Sequence, residues 1–107
     1  MSWGCVADEL NVTLTLSQFF GGDDNLDIYV RHRFDLEAPG REDWRLLTGN
    51  EAARIPMDRV DSFTEAALSA QTVILEALDP LDGDTTRFEF SLRGLGEALT
   101  RLTCRDP

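Results

Sequence analysis

Few residue types in this 107-residue chain can do chemistry, and histidine is the scarcest, present once as His32. A Ser-His-Asp triad needs such a histidine beside an activated serine, and the chain contains no G-x-S-x-G elbow. His32 sits between Arg31 and Arg33 on the inward side of an alternating segment, so a structural histidine is expected rather than a general base. Gly21-Gly22 does not read as a phosphate loop, because Asp23-Asp24 follows and its charge repels a phosphate. Two acid-rich turns, Asp23, Asp24 and Asp27, then Asp79, Asp82 and Asp84, have ligand types that suit a hard cation. The second lacks the EF-hand spacing and its closing Glu, and solvated turns are expected in both. Cys5, Cys104 and His32 make no recognisable zinc set. No enzyme activity, catalytic residue, cofactor or metal is therefore expected.

The two cysteines nearly bracket the chain. In an oxidising compartment a Cys5–Cys104 bridge would tie the first segment to the last, while in a reducing cytosol both stay thiols, and the spacing leaves these alternatives even. The chain reads as one domain, residues 1–107, long enough to bury its own core. Twenty acids oppose ten bases, all of them arginine, for a formal charge of −10. The absence of lysine reads as the codon usage of a GC-rich genome. That charge argues against direct nucleic-acid or anionic-lipid binding, which is driven by Lys and Arg neutralising phosphates. No apolar run approaches the roughly 18 residues of a membrane span, so no membrane insertion is expected.

The elements that must position these groups follow from periodicity. Residues 11–16 alternate, with Val12, Leu14 and Leu16 on one face; residues 19–25 read as a loop, and residues 27–35 resume the alternation with Ile28, Val30, His32 and Phe34 inward. This pair is predicted to form a hairpin. A break at Ala38-Pro39-Gly40 precedes a second hairpin over residues 44–47 and 52–55. Val60, Phe63, Ala67 and Ala70 then recur at helical spacing, and Ser62 with Glu65 has the spacing of a capping box, predicting a helix of about ten residues. Residues 72–78 are apolar on both faces, as in a central strand, and residues 79–84 form a turn. Residues 85–92 place Phe88, Phe90 and Leu92 inward, and Leu95, Ala98, Leu99 and Leu102 make a final helical stripe. The expected fold is mainly β within the α+β class: an antiparallel curved sheet or small β-sandwich of about six strands with two short helices.

The strand Ile28-Tyr29-Val30-Arg31-His32-Arg33-Phe34-Asp35, Trp44, the helix around Phe63, Phe88-Glu89-Phe90-Ser91-Leu92 and the closing Gly94-Leu95, Ala98-Leu99, Leu102 and Cys104 together resemble the C-terminal β-rich module of periplasmic VasI-type proteins, accessory to type VI secretion. The likeness covers roughly 80 to 90 residues and rests mostly on strand alternation, one Trp and a terminal helix with Cys. It departs at one point: the family's other cysteine usually ends the first strand, where this chain has Leu16-Ser17. The resemblance implies an exported, non-enzymatic accessory or binding domain, hence a periplasmic or secreted location. Otherwise the chain is expected in the cytoplasm.

Acidity is uneven. Residues 1–27 carry five acids and no base, residues 58–89 carry eight acids against Arg59 and Arg87, and residues 31–45 are balanced. An acidic face steers association with a basic protein partner. Asp23, Asp24, Asp27, Asp58, Asp61, Asp79, Asp82 and Asp84 are the expected members of that face. The first functional expectation is a non-catalytic binding domain acting through a strand edge or this acidic face. The alternative is an intracellular acidic inhibitor, of the anti-defence, DNA-mimic or toxin-immunity kind, that blocks a basic nucleic-acid-binding or toxin surface.

Overall fold

The computed structural model describes residues 1–35 and 40–105. Seven strands form a single curled, half-barrel antiparallel sheet in the order β1-β2-β5-β4-β3-β6-β7. They are β1 Ser2–Val6, β2 Glu9–Thr15, β3 Asp27–Phe34, β4 Gly40–Leu46, β5 Ala52–Arg54, β6 Thr72–Leu78 and β7 Thr85–Ser91. Helix α1 (Val60–Leu68) follows a 3₁₀ turn at Met57–Arg59; α2 (Leu95–Leu99) precedes a second such turn at Thr103–Arg105. No described helix is long and apolar enough to cross a membrane.

Strand alternation sorts the side chains onto two faces. Val12, Leu14, Ile28, Val30, Trp44, Ala53, Val73, Leu75 and Ala77 point to one face and are fully buried there. Helix α1 covers that face with Val60, Phe63 and Ala67. The Phe63 ring lies at the centre of an aromatic group, with centroids 5.1 Å from Phe34, 5.3 Å from His32 and 5.8 Å from Trp44. Each such apolar side chain contributes roughly 1.5–3 kcal/mol on leaving water, and the burial of a whole sheet face outweighs α1's modest length. Trp3 of β1 donates its Nε1–H to Thr64 Oγ1 at 2.9 Å, tying the edge strand to the helix. Cys5 and Cys104 are joined in a disulfide that holds β1 to the second 3₁₀ turn.

Several expectations change. Of the two expected architectures the antiparallel curved sheet is the one found, with seven strands where about six were read. The additional strand is β1, which pairs with β2 through a two-residue turn at Ala7-Asp8, φ +52° and +65°. Both residues are left-handed, as a type I′ hairpin requires, but Ala7 gives none of the Asn-Gly signal that marks such turns in a sequence. β2 and β3 are not a hairpin: β2 pairs with β1 and β5, while β3 pairs with β4 and β6. The Ser62–Glu65 capping box does not form, because α1 begins two residues earlier and Ser62 donates to the Arg59 carbonyl from within it. The C-terminal stripe is helical only over Leu95–Leu99. The break read at Ala38-Pro39 lies outside the described residues.

Candidate functional site

One end of the sheet gathers three loops, residues 17–26, 47–51 and 79–84. Asp79 is the pin. It is only 3% exposed, and its carboxylate accepts the N–H groups of Gly21 at 2.7 Å, Gly22 at 2.9 Å and Leu81 at 3.1 Å. Burial pushes its carboxyl upward, but these three donors outweigh that and hold it below the ordinary 3.8. Gly22 is required here, since its φ is +76° and a Cβ would lie 2.7 Å from the Leu46 side chain. Asn50 closes the third side, its carbonyl accepting the Phe20 N–H at 2.9 Å and its Nδ2–H donating to the Phe20 carbonyl at 2.9 Å.

The other acids of this end are also organised by backbone. Asp23 Oδ1 accepts N–H from Asn25 at 2.8 Å and Asp27 at 2.9 Å, and Asp82 Oδ1 accepts that of Asp84 at 2.9 Å. Asp24, Asp82 and Asp84 are exposed and Asp23 is half-buried, so four of the eight acids share this end, joined by the exposed Glu51. Asp27 lies on the open sheet face, 3.3 Å from Arg45. Asp58 and Asp61 stand elsewhere, in the 3₁₀ turn and first turn of α1, flanking Arg59, which hydrogen-bonds Glu42. Asp79 is a structural group and not part of a surface. The eight acids read from the sequence therefore divide into a loop-end group, a helix-start group, one face residue and one buried pin.

Sequence reasoning missed the apolar members of the loop end. Phe19 is 67% exposed and Leu81 71% exposed, with Leu26 also exposed. Phe19 and Phe20 are adjacent in the chain, and nothing in their order says that Phe20 is fully buried while Phe19 faces water. The available signal was position: all three apolar residues fall outside strand alternation, Leu26 and Leu81 directly beside acids.

His32 is on the inward face as expected, half-buried, its Nδ1 3.5 Å from Glu42 Oε1 without hydrogen-bond geometry. Burial lowers its pKa from 6.5, Glu42 opposes this, and Arg59 adds to it. Among the described residues, no three of His, Cys, Asp or Glu converge as metal ligands would.

The opposite face of the sheet is uncovered by the described residues and different in charge. Arg31, Arg33, Arg41, Arg45, Arg54 and Arg87 project from it among Glu9, Asp27, Asp43, Glu76 and Glu89. The rest of the chain has four arginines against fifteen acids. Arg31 stands directly opposite Arg41, and Arg45 opposite Arg54, arrangements that cost stability across a ladder. Arg41 lies over the Tyr29 ring at 4.2 Å. Comparison with protein-family models, with curated proteins and with solved structures finds no match for this chain.

Proposed function

We propose that the protein is a non-catalytic binding domain whose loop end docks a protein partner with a basic, partly apolar surface. The observation that carries this reading is the exposure of Phe19 and Leu81 among Asp23, Asp24, Asp82 and Asp84 on loops pinned by Asp79. Exposed apolar side chains supply the desolvated centre of an interface, and the surrounding carboxylates supply steering and register. A pinned platform also reduces the ordering cost of association. The VasI-type resemblance belongs to the same reading, with an exported accessory domain; two free thiols in protein isolated from its native compartment would count against export.

The test is site-specific photo-crosslinking in native cells from positions 24 and 82, with position 33 on the open face as the control. A discrete adduct from the loop end, absent from position 33 and, with the probe at position 24, abolished by Asp82→Lys with Asp84→Lys, is the expected result. Adducts that ignore this charge reversal refute the site. The inhibitor alternative uses the same acids, and the captured partner's own activity separates it: a nuclease, DNA-binding protein or toxin that loses activity on binding favours inhibition.

A further inference from the structure

The two margins of the sheet are finished differently. β1 is short, contains Gly4, and is bridged through Cys5 to the second 3₁₀ turn. β7, Thr85–Ser91, is the other margin: seven residues without proline or glycine, paired only with β6. Ladder alternation decides which of its main-chain groups β6 uses. Leu92 N–H bonds the Gln71 carbonyl and the Asp84 carbonyl accepts the Asp79 N–H, so Thr86, Phe88 and Phe90, in the same phase, turn their N–H and C=O toward β6. Thr85, Arg87, Glu89 and Ser91 turn theirs outward, and no backbone group among the described residues bonds them there. Gln18 donates Nε2–H to the Thr86 hydroxyl at 3.2 Å, a contact with a side chain of the inward face.

An open strand edge is a template for another strand, and charge on the edge decides which strand it accepts. Arg87 and Glu89 are both exposed on the open face, and neither has an ion pair among the described residues. These two charges are self-complementary about Phe88. With two β7 strands antiparallel and Phe88 opposite Phe88, Arg87 stands opposite the partner's Glu89 and Thr85 opposite the partner's Ser91. Those are the positions whose main-chain groups face outward, so each opposed pair exchanges two hydrogen bonds, about eight in all. Sliding one strand by a single residue sets outward groups against inward ones. Sliding it by two sets Arg87 opposite Arg87 or Glu89 opposite Glu89, which costs stability. On the inward face Phe88 and Phe90 are half-buried, their rings parallel and 6.2 Å apart, so the same register lays apolar surface against its own copy. Antiparallel pairing also keeps the two acidic loop ends apart, each lying beside the partner's Ser91 end, where Arg93 is exposed.

We infer that the β7 edge binds the β7 edge of a second copy of this chain, antiparallel about Phe88, giving a two-fold dimer with one continuous sheet through both copies. The interface is isologous: each Arg87 meets the partner's Glu89, so both ion pairs form together. Its main-chain bonds supply affinity and the charge pair fixes the register. The inference does not depend on the docking read for the loop end.

The test is sedimentation equilibrium on the full, disulfide-bonded chain from about 5 to about 500 μM, with amide hydrogen exchange followed at both extremes. The expected result is monomer at the low end and dimer at the high end. Exchange slows in the dimer at Thr85, Arg87, Glu89 and Ser91, and far less at Thr86 and Phe88, which β6 already holds. Arg87→Glu weakens association at least about tenfold, and Glu89→Arg does the same, because each sets like charges opposite one another. An equimolar mixture of the two variants restores it, as does the double exchange in one chain, and that rescue shows that the single variants are folded. The site is overturned by monomer at every concentration, by a dimer whose outward amides exchange as in the monomer, or by single reversals that leave association intact.

Discussion

The acidic loop end and the arginine-bearing sheet face handle charge in opposite ways. At the loop end Asp79, Asp23 and Asp82 are each held by backbone N–H groups, so negative charge is part of how the loops fold. On the open face, arginines oppose arginines across the ladder and several have no ion-pair partner among the described residues. The difference teaches that a formal charge of −10 describes no single surface of this molecule. The molecule presents an acidic, partly apolar platform at the loop end and a mixed, arginine-rich sheet face.

The largest effect that sharpens this contrast comes from the bridge that ties edge strand β1 to the second 3₁₀ turn on the helix-covered face. Replacing Cys5 and Cys104 by Ser should cost roughly 4–5 kcal/mol on the chain-entropy model, read by denaturant unfolding. Hydrogen exchange should then accelerate in β1 more than in residues 79–84. Asp79→Ala breaks the other region. It strands three N–H groups and should cost about 3 kcal/mol, with the fastest new exchange at Gly21 and Gly22.

The same contrast has a pH signature. Because Asp79 is held below 3.8 in the fold, its stabilisation is present above that value and is lost as pH falls through the lower folded value. His32 adds an earlier step: its lowered pKa means the unfolded chain takes up a proton near pH 6.5 that the folded chain refuses, so stability declines as pH falls below that point. Unfolding monitored from pH 8 to 3 should show both steps, with Asp79→Asn reducing the lower one, to which Asp35 also contributes through the Thr72 and Gln71 N–H groups, and His32→Gln removing the upper. The smallest effects are on side chains that pin nothing. Arg54→Glu, by ending a like-charge pair with Arg45, should stabilise by about 0.5 kcal/mol. Phe19→Ser with Leu81→Ser should leave stability within about 0.5 kcal/mol while abolishing partner binding.

Much of the fold was legible because burial enforces a period of two. Val12, Ile28, Val30, Val73 and Leu75 lie inward as their alternation requires, and Val60, Phe63 and Ala67 face the sheet as helical spacing requires. Strand partners were legible across short turns, in β4 with β5 and β6 with β7, and not across the long loop after β2, which lets β5 take the place beside it, where Ala53 completes the buried face. β1 was missed because its turn lies at Ala7-Asp8 and its strand is mostly exposed. For the site, the acids were legible as a group and Asp79's role was not, since only tertiary contact makes one aspartate of six a pin. Phe19 and Leu81 escaped because an apolar residue in a loop carries no periodic mark of which way it faces.

The most direct measurement of the central claim is the salt dependence of affinity for the crosslinked partner, compared between wild type, Asp82→Lys with Asp84→Lys, and Arg31→Glu with Arg33→Glu. Docking through the loop end predicts binding that weakens with salt, falls at least about tenfold on the aspartate reversal, and stays within about twofold on the arginine reversal. The opposite order, with the arginine reversal abolishing binding and the aspartate reversal leaving it intact, would move the interface to the open sheet face and contradict the account.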